Sequence, residues 1–283
     1  MHKITGLLGF PLGHTLSPAM QNAAFKELGL DWEYKKFEVA PEDLKAAVDG
    51  FKAMHLAGFN VTIPHKEKII PLLDDVTKLA SLIGAVNTVK YQNGSLIGYN
   101  TDGEGFIASL KNDANESPAG KNIVVLGAGG AGRAVCVMLA ENKASNLTIS
   151  DIDQTKSAEL AKHIRSNFKI TCSSLLPNSP ALQAAINSAH ILVNTTPIGM
   201  LPKIDFSPID ETILLPSQLL VYDLVYNPAE TKLIKQAKAA GCRTCSGLGM
   251  LVYQGAFAFT IWTGEEAPLE VMRAAAKKAL GLS

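Results

Sequence analysis

Asn122-Ile123-Val124-Val125-Leu126-Gly127-Ala128-Gly129-Gly130-Ala131-Gly132 decides the architecture of this chain. Its first half is a continuous apolar run without alternation. That pattern predicts a strand buried on both faces of a parallel sheet. The second half is G-x-G-x-x-G, placed where a strand hands over to a helix. Gly127 permits the tight turn, and Gly129 lets a pyrophosphate approach the backbone. Gly130, Ala131 and Gly132 open the helix, whose free N–H groups and dipole favour an anion. Asp151 follows 19 positions after Gly132, at the end of Thr148-Ile149-Ser150-Asp151-Ile152-Asp153. A carboxylate there accepts hydrogen bonds from an adenosine ribose diol and repels a 2′-phosphate. The nearest base is Lys156 rather than an arginine, so the residue chemistry favours NAD over NADP. Tight glycine packing without a ligand is the competing explanation of the motif.

Working outward, similar apolar runs recur at Leu147–Ser150, Ile191–Asn194 and Leu219–Leu224. Helical segments separate them at Gly132–Asn142, Gln154–Ser166 and Pro180–Ser188. Strand–helix repetition of this kind predicts a Rossmann-type doubly wound α/β sheet. Upstream, Asp113–Lys121 is polar, carries Pro118 and Gly120, and reads as a linker. The first hundred residues alternate strands (Ile4–Gly9, Tyr34–Val39, Ala57–Ile63) with helices (Ser17 to about Leu28, Pro41–Phe51). Ser17 is an N-cap candidate ahead of Pro18. Ala85–Val89 and Ser95–Tyr99 read as a hairpin with Asn93-Gly94 at its turn. From Gly247 onward the pattern is helical, with Met250–Thr263 and Pro268–Leu280 returning to the first region. Two domains are expected: an N-terminal α/β substrate domain (1–102 plus 248–283) and a dinucleotide domain (103–247).

Composition narrows the function. A chain of 283 residues, 47% hydrophobic and 18% charged, can bury two cores. Lys+Arg and Asp+Glu number 26 each, which speaks against nucleic acid or an anionic membrane as the main partner. No apolar run approaches the ~20 residues of a membrane span. The N-terminus lacks a signal-peptide layout, so a cytoplasmic protein is expected. Cys242 and Cys245 form a Cys-x-x-Cys, the spacing of a metal or redox pair. No second such pair or His pair lies nearby, so a short strand with reduced thiols and no metal is the expected reading.

A second stretch carries chemistry: Asn60-Val61-Thr62-Ile63-Pro64-His65-Lys66. Pro64 fixes its own φ and biases Ile63 toward extended backbone. The strand therefore stops and presents Lys66 on a loop, as a proton donor or as an ordinary surface lysine. Thr15 and Ser17 place two hydroxyls just ahead of a helix N-terminus, a neutral nook for a carboxylate. Asn87 and Asp102 lie in turn-like stretches, where local turn chemistry is the plainer alternative.

With Leu16-Ser17-Pro18 and Asn22, Asn60–Glu67, Gly84–Thr88, Gly98–Gly105, Gly127–Ala134, Asn194–Met200, Asp223 to Tyr226 and Gly247–Gln254, the chain resembles the shikimate dehydrogenase family, including its quinate/shikimate branch. The resemblance covers essentially the whole length. It implies reversible hydride transfer interconverting 3-dehydroshikimate and shikimate, in aromatic amino-acid synthesis, with NAD(P) as cofactor and NADP as the family's habit. By the same resemblance Lys66 handles the proton and Asp102 orients it. Thr62, Asn87 and Gln254 bind ring hydroxyls. Thr15 and Ser17 hold the carboxylate, with Tyr226 close by. Thr195, Met200, Leu224, Gly247 and Met250 belong to the cofactor site, with the loop Asn194–Met200 and the Gly247 and Met250 region bordering the nicotinamide. The substrate is a small molecule, and a homodimer is among the assemblies such a chain could form. Three departures stand out: Thr15 in place of serine, Gln21 in place of histidine, and Asp151-Ile152-Asp153 in place of Asn-Arg-Thr. The first two leave shikimate or quinate open, and the third sets NAD against the family's NADP. An NAD-dependent quinate/shikimate dehydrogenase of catabolic type is the nearest alternative. A methylenetetrahydrofolate dehydrogenase suits the hydroxyl-rich nook less well, and intact Lys66 and Asp102 speak against a catalytically silent sensor.

Overall fold

The computed structural model describes residues 2–13 and 15–282. The chain divides into two compact units, Met1–Gly105 with Leu251–Ser283, and Phe106–Met250.

In the first unit β1 (Lys3–Gly9) leads to α1 (Ser17–Glu27), β2 (Trp32–Glu38), α2 (Leu44–Ala53) and β3 (Gly58–Val61). β4 (Asp75–Val76), α3 (Lys78–Ile83), β5 (Thr88–Gln92) and β6 (Ser95–Tyr99) follow. The six-stranded sheet runs β2-β1-β3-β5-β6-β4. β1 pairs in parallel with β2 and β3, while β3, β5 and β6 are antiparallel neighbours. The hairpin turns where expected: Asn93 has φ 53° and Gly94 φ 84°, the two positive values of a type I′ turn. Its first strand begins at Thr88 rather than Ala85, because Val86 turns to a partner outside the hairpin while Asn87 still reaches its second strand. Val86 N–H donates to the Lys66 carbonyl at 2.8 Å, and Asn87 N–H to the Tyr99 carbonyl at 3.1 Å. β4 and α3 were not anticipated. Thr77 caps α3 through its hydroxyl, and Gly84, with φ 72°, closes it.

Helix α4 (Asp102–Asn112) contains the first boundary between units. The second unit holds β7 (Asn122–Leu126), α5 (Gly130–Glu141), β8 (Asn146–Ser150), α6 (Gln154–Asn167), β9 (Thr171–Leu175) and α7 (Pro180–Asn187). It continues with β10 (Ile191–Asn194), β11 (Leu220–Asp223), α8 (Lys232–Ala239) and β12 (Arg243–Ser246). Its sheet order is β12-β11-β10-β7-β8-β9, all parallel. That is the doubly wound Rossmann order, with its switch point between β7 and β10. β7 and β10 are buried along nearly their whole length, as their unbroken apolar sequences require. Cys242 precedes β12 and Cys245 lies within it; both are free thiols.

Helix α9 (Leu248–Thr263) contains the second boundary, and α10 (Leu269–Ala279) packs on α1 inside the first unit. Both boundaries fall three residues later than the sequence suggested, inside helices rather than at their starts. Among the described residues no helix is long and apolar enough to cross a membrane.

Candidate active site

Lys66 sits on the turn that follows β3, where the chain leaves the sheet. Its Nζ donates to Asp102 Oδ2 at 2.6 Å, with the two side chains 16% and 8% exposed. Asp102 opens α4, whose first turn is held by Asn100: its Oδ1 accepts from the N–H groups of Asp102 (3.1 Å) and Gly103 (3.3 Å). The other carboxylate oxygen of Asp102 accepts from Asn87 Nδ2 at 2.8 Å. Both oxygens are therefore paired, and the helix N-terminus adds favourable dipole. Removing one partner of such a buried pair costs about 3–5 kcal/mol, since the other charge is stranded.

Asn87 is itself fixed. Its Oδ1 accepts from Thr101 N–H at 2.7 Å, which turns its NH₂ toward Asp102 and Thr101 Oγ1. Gln254 Oε1 lies 3.4 Å from the same NH₂ group. Behind Asn87 stands Asn60, buried on β3. Its Nδ2 donates to the Asn87 carbonyl at 3.1 Å and Thr88 Oγ1 at 3.0 Å, and its Oδ1 accepts from Tyr34 Oη at 2.8 Å. Asn22 on α1 pairs with both backbone groups of Tyr34 (2.8 and 3.1 Å), setting the height of α1 against β2. Thr62 follows β3 and is half-buried.

Ser17 begins α1 but does not cap it. The N-cap is Leu16, with no side-chain cap bond. Ser17 N–H donates to Thr15 Oγ1 at 3.3 Å, so the Thr15 hydroxyl takes one orphan donor and Ser17 Oγ is released from capping. Thr15 Oγ1 and Ser17 Oγ are 3.4 Å apart. Burial, the larger effect, raises the Tyr34 phenol well above its ordinary pKa, and the Ser17 hydroxyl opposes it. Gln21, one helical turn on, is fully buried and donates to the Gly255 carbonyl at 2.9 Å.

In the second unit the glycine-rich loop joins β7 to α5. Gly127 has φ 103°, and a Cβ there would lie 2.6 Å from Thr195 Oγ1. Nothing lies within 4 Å of where a Cβ on Gly129 would be, so backbone at the N-terminus of α5 is open to an anion. Asp151 Oδ2 accepts from Ala128 N–H at 2.7 Å, and Oδ1 from Asp153 N–H at 2.8 Å. Asp151 thus also braces the glycine-rich loop. Asp153 caps α6, and Ile152 between the two carboxylates is 87% exposed. The donor set fits a dinucleotide: open helix-terminal N–H groups, and a carboxylate for a ribose diol.

Thr195 Oγ1 donates to the Leu126 carbonyl at 2.8 Å and reaches Gly127 O at 3.2 Å, so its hydroxyl serves the loop itself. Gly247 is required by close approach, since a Cβ there would meet the Leu224 carbonyl oxygen at 1.9 Å. Met200 is exposed and Met250 buried. Tyr226 is half-buried, and burial raises its phenol pKa. Sequence reasoning passed over Tyr34 as a site residue, and saw Asn60, Asn194 and Asp223 only as parts of motifs. A signal existed for two of them. Asn is depleted in strands, yet Asn60 lies inside one, and Asp223 ends an otherwise apolar strand.

Residues 7–89 match the shikimate dehydrogenase substrate binding domain, and residues 247–277 the shikimate 5′-dehydrogenase C-terminal domain. Residues 123–200 match the NADP binding domain of saccharopine dehydrogenase. A relative from Methanocaldococcus jannaschii named shikimate dehydrogenase (NADP(+)) is 47% identical over 271 residues, covering 96% of this chain and 95% of its own. This chain belongs to the shikimate dehydrogenase family. It is an oxidoreductase of that family, and the fold agrees at full length. A solved shikimate dehydrogenase in complex with NADP+ superposes with a TM-score of 0.89 at 44% identity, covering 99% of this chain and 96% of that one. The shikimate 5-dehydrogenase from Listeria monocytogenes, in complex with shikimate and NAD, gives 0.88 at 36% identity, with 96% of each chain covered.

Proposed function

We propose that this enzyme interconverts 3-dehydroshikimate and shikimate, with Lys66 and Asp102 handling the proton. The observation that carries the proposal is the buried 2.6 Å Lys66–Asp102 contact, anchored through Asn87. A bound nicotinamide dinucleotide supplies the hydride, and Gly129, Gly130, Ala131, Gly132 and Asp151 are the residues that would hold it. Lys66 Nζ gives a proton to the oxygen of the reduced carbonyl, and takes it from the hydroxyl in the reverse direction. Asp102 keeps the ammonium oriented and accepts a ring hydroxyl. Thr62, Asn87 and Gln254 bind the remaining ring hydroxyls. Thr15 and Ser17 hold the carboxylate, using hydroxyls rather than a cation. Thr195, Met200, Leu224, Gly247 and Met250 line the cofactor's site.

Asp151 and Asp153 favour NAD, although the relatives carry NADP(+) in their names. Two carboxylates flank the place where an arginine would grip a 2′-phosphate, and the residue between them is an exposed isoleucine. The same pair favours a second reading, an NAD-dependent quinate/shikimate dehydrogenase of catabolic type. Steady-state kinetics of shikimate and quinate with NAD+ and NADP+ test both. The expected outcome is a kcat/KM at least about tenfold higher with NAD+, equivalent to ~1.4 kcal/mol of transition-state stabilisation, and highest with shikimate. Preference for NADP+ refutes the cofactor assignment, and preference for quinate supports the second reading. Inactivity with both acids refutes the function.

A further inference from the structure

Asp223 ends β11, directly beside Asn194 at the end of β10. It is fully buried, and its hydrogen-bond partners are all neutral. Oδ1 accepts from Asn194 Nδ2 at 2.8 Å and from Val225 N–H at 3.0 Å, and Oδ2 from Thr231 Oγ1 at 2.6 Å. Burial raises its pKa, against the pull of these donors. With both oxygens taken by neutral donors, the structural effect of this carboxylate lies in what those donors belong to.

What it orders is two loops. Because Asn194 Nδ2 is turned to Asp223, its Oδ1 faces the following loop, where it accepts from Thr196 N–H (3.0 Å) and Thr196 Oγ1 (2.7 Å). Thr196 Oγ1 then accepts from Ile198 N–H at 3.2 Å. On the other side Val225 N–H is bound directly, and Thr231, bound to Oδ2, caps α8 through Ile234 N–H at 3.2 Å. Leu224 N–H donates to the Asn194 carbonyl at 2.9 Å, and Leu201 N–H to the Asn227 carbonyl at 3.1 Å, so the loops are also stitched to each other. One carboxylate thus fixes residues 194–201 and 223–231 together.

We infer that Asp223, acting through Asn194 and Thr196, is a positioning residue for the nicotinamide end of the cofactor. This rests on the proposed function, which assigns Thr195, Met200 and Leu224 on these loops to the cofactor site. Both Asp223 oxygens are taken by protein donors, so it acts through the backbone. It sets the backbone against which the nicotinamide ring is held, while the adenosine half is bound independently by the glycine-rich loop and Asp151.

Binding of two probes to the full chain separates this role from general stabilisation. NADH carries the nicotinamide ring, and ADP-ribose is the same molecule without that ring. Asp223→Asn is expected to raise the Kd of NADH about tenfold (~1.4 kcal/mol) and to leave that of ADP-ribose within about twofold. Thr196→Val, which removes only the loop hydroxyl, is expected to act in the same direction, and it decides the matter should Asp223→Asn fail to unfold cooperatively. Equal losses for both probes, or no loss for either, overturn the inference. Wild-type protein that binds neither probe refutes the NAD assignment instead, and the same pair of measurements is then read with NADPH and 2′-phospho-ADP-ribose.

Discussion

At the residue scale, the site is a set of side chains whose orientations are forced by their neighbours. Lys66 could point anywhere from a surface turn; Asp102 holds it at 2.6 Å. Asp102 is held by Asn87, and Asn87 by Thr101 N–H. Asn60 and Tyr34 stand behind these. A proton donor needs this restraint, because its contribution depends on reaching one oxygen in one geometry. Lys66→Ala should therefore lower kcat by about 10²–10⁴-fold while changing the substrate KM much less. Steady-state assays in both directions check this, and turnover surviving nearly intact removes Lys66 from the chemistry. The local stretches offered Lys66 as a proton donor or a surface lysine, and Asp102 as turn chemistry. Their 36-residue partnership was not readable from spacing; it entered through resemblance. Tyr34 and Asn60 illustrate the limit. A tyrosine in one strand and an asparagine in another carry no sign that they meet at 2.8 Å, since the meeting depends on how β1, β2 and β3 are ordered.

At the element scale, the parallel strands were legible where burial on both faces left an unbroken apolar run, as in β7 and β10. β9 escaped notice because Thr171-Cys172-Ser173-Ser174-Leu175 is a polar edge strand, paired only with β8. α3 escaped although Thr77 and Gly84 mark its two ends; at six residues it offers too little periodicity to be seen. Ser17 shows the reverse error. It has the right type and position for an N-cap, but Thr15 supplies the bond, and no rule of composition decides between two neighbouring hydroxyls. The turn from β12 into α9 is the junction with the least slack. Gly247 abuts the Leu224 carbonyl so closely that a methyl group would displace backbone, not a flexible side chain. Gly247→Ala should destabilise by about 1–3 kcal/mol, the usual range for overpacking. The expected signature is a lower urea midpoint with an unchanged m-value. An unchanged midpoint would mean that the turn yields at little cost.

At the scale of the whole molecule, the two units differ in how the chain builds them. Phe106–Met250 is one unbroken stretch containing a complete six-stranded parallel sheet and its helices. The other unit is assembled from both ends of the chain. Phe259 on α9 stacks on Phe25 of α1, with ring centroids 5.3 Å apart, and Trp262 donates its Nε1–H to the Val89 carbonyl at 2.9 Å. Met272 and Ala276 of α10 are fully buried in the same unit. Losing a buried Phe or Trp costs about 3–5 kcal/mol each, and a Met about 2–5. Their sum reaches the whole stability of an ordinary domain, about 5–15 kcal/mol. A fragment of residues 1–105 should therefore fail to fold, whereas a fragment of residues 106–250 should unfold cooperatively and, if the cofactor assignment is right, still bind ADP-ribose. Adding residues 251–283 in trans to the first fragment should restore part of its structure, because the missing surface is a packed helical face rather than a turn. Urea unfolding followed by circular dichroism checks each case. A cooperative transition in the 1–105 fragment alone would show that α9 and α10 cover a core that is already sufficient without them.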